Sequence, residues 1–184
     1  MSVWSITHIA NGHDSDSFRM NIREDEKVIY IDLTRQILEL KRGDESLFDA
    51  KISSAKNGSG ELEGSEKTPR GWHIVRAKIG DGQPENTVFL GRRPTSEVYT
   101  ETLGSAHPQR DWILTRIMWL SGLEPGFNRM GNVDTMRRYI YIHGCPDTET
   151  VGVPGSHGCI RMRNTDIIDL FDRTEIGTKV LIKE

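Results

Sequence analysis

Two identical tripeptides, His143-Gly144-Cys145 and His157-Gly158-Cys159, stand fourteen residues apart in the 184-residue chain and are its most reactive combination of side chains. Two histidines and two cysteines could in principle make a tetrahedral zinc site, but structural zinc ligands usually come as C-x2–4-C knuckles, and an H-x-C pair lies outside that pattern. His157 and Cys159 could also merely fill space in a glycine-rich turn. A third reading uses more of the residues. A thiolate is the reactive form of cysteine, and a neighbouring imidazole can bring its pKa down from about 8.5 into the physiological range. Cys159 would then be a nucleophile, with His143 as its base. Gly155 and Gly158 would let a carbonyl approach the backbone closely, so that N–H groups near Cys159 could donate to an oxyanion. Ser156 would hold the turn by a local hydrogen bond.

These residues need rigid elements to set their spacing. Tyr139-Ile140-Tyr141-Ile142 alternates like a strand and delivers His143 at its end, while Gly144 to Gly155 forms a polar loop. After Cys159, residues 164–173 read as a helix with Asn164 or Thr165 as cap, and residues 176–182 as a closing strand. Upstream, residues 27–41 read as two strands around a turn at Thr34-Arg35-Gln36. Further strands are expected near 47–53, 72–77 and 87–91, with loops at 57–64, 80–85 and 124–134. Between Asp111 and Leu123, the residues Trp112, Ile113, Ile117 and Leu120 recur at helical spacing, with Asp111 placed to cap the start. This segment is expected to be a packing helix or a lid over a cleft.

Composition narrows the class. Glycine, at 18 residues of 184, exceeds its usual share of roughly 7% and favours strands and loops. The 24 basic and 27 acidic residues are well mixed and give a net charge of −3, without the basic stripe of a nucleic-acid binder. The short run Arg23 to Lys27 reads as a solvated turn. No stretch approaches the roughly 18 apolar residues of a membrane span, and none of the first sixteen residues forms the apolar core of a secretory signal. With two cysteines and no disulfide framework, the expected setting is cytoplasmic, or periplasmic if a leader has been removed. No cofactor and no metal are expected. Residues 1–26 read as an N-terminal extension and 27–184 as one domain.

The segment IHGCPDTETVGVPGSHGCIRM resembles the signature of the YkuD-type L,D-transpeptidase catalytic domain: a His-Gly at a strand end, a loop, then Ser/Thr-His-Gly-Cys, an apolar residue and Arg. IYIDLTRQILEL resembles that family's first hairpin, TPRGWHIV its Thr-Pro-x-Gly run into a strand, and GNVDTMRRYIYIHG its approach to the histidine. The resemblance covers roughly residues 27 to 184. It implies a mainly β fold, a sandwich or barrel with one or two helices, and here a helical lid insertion at about 104–135. By the same resemblance Cys159 would be the nucleophile that forms a thioester and His143 its general base, oriented by the carbonyl of Gly144. The N–H groups of Gly158 and Cys159 would form the oxyanion hole, and Ser156, His157 and Arg161 would shape the site. Arg161 would either pair with a substrate carboxylate or only brace the loop.

Family enzymes act on peptidoglycan stem peptides between meso-diaminopimelate and D-alanine, passing the acyl group to an amine or to water. Without a visible signal segment, the expectation here is hydrolysis, an L,D-carboxypeptidase on muropeptides, with transpeptidation as the alternative. One position departs from the family pattern. Cys145 stands where Thr is usual, so it is either a small packing residue or a disulfide partner for Cys159.

Overall fold

Val28, Ile29 and Ile31 of β1 (Lys27–Asp32) and Leu38 and Leu40 of β2 (Ile37–Arg42) are all at most 2% exposed, as a hairpin against a core requires. The computed structural model describes residues 20–184. The first sixteen residues, considered above for a signal segment, therefore lie outside the described residues. The turn between β1 and β2 is set by Asp32, which accepts the Arg35 N–H at 2.9 Å, and by Gln36 at φ 53°. The sheet continues through β3 (Glu45–Lys51), β4 (Gly71–Ile79), β5 (Thr87–Leu90), β6 (Arg93–Val98), β7 (Leu114–Gly122), β8 (Tyr141–Gly144), β9 (Ile160–Met162) and β10 (Lys179–Lys183). Among the described residues there are two α-helices, α1 (Glu101–Ala106) and α2 (Asn164–Arg173). The mainly β expectation therefore holds.

Strand order is β3-β2-β1-β10-β4-β7-β5-β6, with β8 also against β7 and β9 against β8. The β1–β10 and β8–β9 pairs are parallel. One core cluster takes Leu38 and Leu40 from β2, Val180 and Ile182 from β10, Val75 from β4, Met118 and Leu120 from β7, Ile142 from β8 and Ile160 and Met162 from β9, with Ile167, Leu170 and Phe171 of α2. For β2 and β9 to share a core, the sheet must curl back on itself. Ser53 closes it, exchanging both backbone hydrogen bonds with Arg161 at 2.9 Å. A barrel-like closure thus runs through the residues that follow β3.

One expectation is overturned. Residues 114–122 form β7, a strand and not a helix, and seven of its nine residues are buried. A strand flanked on both sides and covered on both faces carries apolar residues almost continuously, and such a run imitates helical spacing. Asp111 consequently caps nothing, and the expected helical lid over 104–135 consists instead of the end of α1, strand β7 and a loop. Helix α1 itself lies earlier and is capped by Thr100, whose Oγ1 accepts the Leu103 N–H at 3.1 Å. Strand β8 begins two residues later than expected because Tyr139 sits at φ 56°, so His143 lies within the strand. Helix α2 has the expected span, although its N-cap is Arg163.

Candidate active site

Strand register decides which side chains meet. In the parallel β8–β9 pair, Ile142 faces Ile160 and His143 faces Arg161, so Cys159, one residue before β9, falls beside Tyr141. Because side chains alternate across a strand, Ile142, Ile160 and Met162 enter the core while Tyr141, His143, Cys159 and Arg161 share the opposite face. Ile117 and Trp119 of β7, opposite His143 and Tyr141, join them there. Cys159 packs with Phe89, Ile117, Tyr141 and Trp119 in a small apolar cluster.

His143 is 1% exposed, and its Nδ1 lies 2.9 Å from the Gly144 carbonyl. That contact requires Nδ1–H as donor, which leaves Nε2 as the basic nitrogen. Only glycine fits at 144, because a Cβ would collide with Asn164 Oδ1 and lie 2.9 Å from the Leu114 carbonyl. Burial pushes the His143 pKa down, against the pull of Asp111 and of the Gly144 carbonyl, so the ring is neutral at pH 7.

The Cys159 thiol hydrogen-bonds to main chain: Sγ accepts the Tyr141 N–H at 3.3 Å and donates to the Tyr139 carbonyl at 3.4 Å. Burial pushes the thiol up to about 12, opposed by the Tyr141 N–H. The lowered thiol pKa expected from an adjacent imidazole is thus reversed at rest. The site holds a neutral thiol and a neutral imidazole.

The turn carrying Cys159 is tied from within and without. Ser156 Oγ donates to the Cys159 carbonyl at 2.5 Å and accepts the Gly158 N–H at 3.2 Å, the local bracing expected of it. Gly158 adopts φ 131°, where other residues are strained, and a Cβ there would press on Ile140 at 3.2 Å. Thr68, from the Thr-Pro-Arg-Gly turn, donates to the Gly158 carbonyl at 3.0 Å and accepts the Ala55 N–H at 2.9 Å. The N–H groups of Gly155 and Ser156 both donate to the Ser54 carbonyl. His157 is exposed, and its imidazole takes no part in the hydrogen bonds that hold this turn among the described residues.

Arg161 is 8% exposed, and both of its Nη groups are engaged. It pairs with Asp111 at 2.8 Å and with Glu149 at 3.3 Å, and it donates to the Gly155 carbonyl at 3.3 Å. Of the two roles considered for it, the geometry matches the brace. Asp111 and Glu149 escaped the sequence reading, since only tertiary closure brings them to one guanidinium. Thr68 could have been found through the Thr-Pro-x-Gly pattern.

Cys145 is fully buried, its thiol pushed up to about 11 by burial and its Sγ donating to the Met162 carbonyl at 3.3 Å. Its backbone pairs beyond Met162, three residues past Cys159 along the neighbouring strand. At roughly 3.3 Å per residue that separation exceeds the roughly 7 Å that a disulfide can span. Cys145 is therefore a packing residue, and both cysteines are free. The same separation, with His143 buried and His157 exposed, keeps the two His-Gly-Cys tripeptides from converging on one metal.

A second group adjoins the thiol. Arg92, at the tip of the β5–β6 hairpin, lies 4.6 Å from the Trp119 ring centroid and 4.9 Å from that of Tyr139, and it donates to Tyr141 Oη at 3.0 Å. No sequence signal singled it out.

Known proteins show the same arrangement of chain. An Enterococcus faecium L,D-transpeptidase mutant superposes with a TM-score of 0.52 at 17% identity, over 86% of this chain and 50% of that one. An L,D-transpeptidase from Xylanimonas cellulosilytica DSM 15894 gives a TM-score of 0.51 at 21% identity, over 92% and 66%. At these identities the likeness is one of fold. In sequence, YqjB of Bacillus subtilis (strain 168), assigned by name to the L,D-transpeptidases, is 42% identical over 59 residues, 32% of each chain. The chain thus matches about a third of that relative's length and about half of the Enterococcus structure. The model of the YkuD family, the L,D-transpeptidase catalytic domain, matches residues 26–182. With its fold, its paired His-Gly and Ser-His-Gly-Cys segments and that match, the chain belongs to the YkuD family of L,D-transpeptidase catalytic domains.

Proposed function

We propose that this chain is a cysteine-dependent acyl-transfer enzyme that acts on peptidoglycan stem peptides at the bond between meso-diaminopimelate and D-alanine. The observation that carries this reading is the β8–β9 register, which sets Cys159 and His143 on one face of adjacent parallel strands while Gly144 fixes the ring tautomer. In the first half-reaction Cys159 Sγ attacks the scissile carbonyl as His143 Nε2 takes the thiol proton. The tetrahedral oxyanion is met by backbone N–H groups of the turn. The Gly158 N–H is already bonded to Ser156 Oγ, so the Cys159 N–H carries most of this role. His143 then returns the proton to the departing D-alanine nitrogen, leaving a thioester on Cys159.

The acceptor in the second half-reaction is water, activated by the same Nε2, which makes the enzyme an L,D-carboxypeptidase. Support comes from the near-complete burial of His143, which admits a small nucleophile more readily than a second stem peptide. One observation favours the alternative of transfer to an amine. The Asp111 and Glu149 carboxylates beside the site are nearly half exposed and would draw an ammonium group.

Incubation with a disaccharide tetrapeptide, with and without a D-amino acid, separates the two by product mass. Tripeptide alone is the expected product, and dimer or exchanged peptide would replace hydrolysis with transpeptidation. Cys159→Ala is expected to abolish every product, and retained turnover would overturn the nucleophile assignment.

A further inference from the structure

Tyr139 and Tyr141 each touch two things. Through their main chain they hold the thiol, the Tyr139 carbonyl and the Tyr141 N–H both bonding to Cys159 Sγ. Through their side chains they hold Arg92, which lies against the Tyr139 ring and donates to the Tyr141 hydroxyl. The guanidinium is therefore one tyrosine side chain away from the nucleophile. Trp119 supports it from beneath, stacked on Tyr139 at 6.1 Å. Arg92 donates a single hydrogen bond, through one Nη, and no carboxylate among the described residues pairs with it. Two other arginines lie near the thiol and are engaged: Arg161 holds two carboxylates, and Arg138 donates to the Gly60, Glu61 and Lys67 carbonyls. A planar guanidinium steadied by aromatic faces, with its remaining donors uncommitted, suits an incoming carboxylate.

We propose that Arg92 is the specificity-determining residue of this site and binds the terminal α-carboxylate of the residue released by the reaction. The inference rests on the stem-peptide reading above. The reach is consistent with that carboxylate. From a scissile carbonyl carbon, the bonds C–N, N–Cα and Cα–C of about 1.33, 1.46 and 1.52 Å lead to the terminal carboxylate carbon of the next residue. That path is at most about 4.3 Å, so a carbonyl seated at Sγ would direct the carboxylate along the Tyr141 side chain toward the guanidinium that its hydroxyl holds. The diamino acid's own side-chain carboxylate is the other anion a stem peptide offers. It branches on the acyl side, and the same reach does not select it. The consequence is an enzyme that requires its scissile bond to be the last in the peptide.

Calorimetric titration of the Cys159→Ala chain with three synthetic stem tetrapeptides tests this: the free acid, the terminal carboxamide, and a peptide amidated only at the side-chain carboxyl of the diamino acid. The terminal carboxamide is expected to bind about 10- to 100-fold more weakly than the acid, the range of one charge-assisted contact, and the side-chain amide to bind as the acid does. Arg92→Gln on the same background should lose that factor for the acid and nothing for the terminal carboxamide, with Arg92→Lys restoring part. Circular dichroism checks that both variants are folded. Equal binding of acid and terminal carboxamide, or an Arg92→Gln loss of the same size for both, would overturn the assignment. A loss confined to the side-chain amide would overturn it too, moving the contact to the other carboxylate. If none of the three peptides binds, the stem-peptide reading itself fails and takes the inference with it.

Discussion

Burial pushes the Cys159 thiol up to about 12, so the resting side chain at neutral pH is the thiol and not the thiolate. Reactivity then has to be created when a carbonyl arrives and the proton moves to His143. Iodoacetamide, which is attacked at its methylene carbon with loss of iodide and so forms no oxyanion to stabilise, should label Cys159 slowly at pH 7. Its labelling rate should rise about tenfold per pH unit up to pH 10, followed by intact mass. A plateau below pH 8 would indicate a preformed thiolate–imidazolium pair instead. Enzymatic acylation should behave differently. It needs neutral His143, whose pKa burial holds below the usual 6.5, so the acid limb of kcat/KM should have its midpoint below pH 6.5 and the profile should be flat from pH 7.5 through 8. The motif residues were legible one by one, because a Ser-His-Gly-Cys segment with an upstream His-Gly has few structural uses. The protonation state was not, since it depends on how Phe89, Ile117 and Trp119 desolvate the thiol, and those residues come from other strands.

Among the elements, the two loops that frame the thiol are held by side chains of unlike exposure. Arg161 is buried while its partners Asp111 and Glu149 are nearly half exposed, so solvent screens the pairs and each is worth less than a buried one. Arg161→Met should keep the packing of the stem yet release both carboxylates and the Gly155 carbonyl, costing roughly 1–3 kcal/mol in urea unfolding. A decrease in kcat with KM unchanged would mark it as a brace, whereas a rise in KM alone would restore the carboxylate-binding role. Thr68→Val tests the other tether. It removes the hydroxyl shared by the Gly158 carbonyl and the Ala55 N–H and should destabilise by about 1–3 kcal/mol, with loss of activity from a loosened Cys159 turn. Helix α2 was readable from its periodicity, and β1, β2 and β4 from their alternation. Strand β7 was not, because burial on both faces erased the alternation. Strand β6, Arg-Pro-Thr-Ser-Glu-Val, is an edge strand whose polar residues leave no pattern to read. Short α1 has no buried residue to mark it.

For the molecule as a whole, closure of the curled sheet depends on polar groups sealed inside it, and His73 of β4 is the one most exposed to a change of pH. It is fully buried, with Nδ1 at 3.0 Å from the Gly71 carbonyl and Nε2 at 3.1 Å from Thr135 Oγ1. The Thr135 hydroxyl already donates to the Asn128 carbonyl at 2.9 Å, so it is desolvation, and not a hydrogen bond accepted by the ring, that keeps His73 neutral. Burial holds its pKa at about 4, against 6.5 for the free side chain. Below pH 6.5 the unfolded chain takes up a proton that the folded chain refuses, so the stabilising contribution is complete above pH 6.5 and is lost as pH falls toward 4. Over that interval the loss is about 3 kcal/mol, and about 2 kcal/mol has gone by pH 5. For a domain of this size, 2 kcal/mol corresponds to a Tm lower by about 4–8 °C. His143, also depressed by burial, acts in the same direction, whereas Glu124, whose carboxyl burial raises, gains stability as pH falls and works against both. The contribution of His73 is isolated by comparing Tm at pH 7.5, 6.0 and 5.0 for the parent chain and for His73→Gln, which keeps hydrogen-bonding capacity without a titrating ring. The variant should be less stable at pH 7.5 yet lose fewer degrees on acidification. Parallel curves for the two proteins would mean that the acid sensitivity lies elsewhere, and that His73 is not the group through which pH opens the fold.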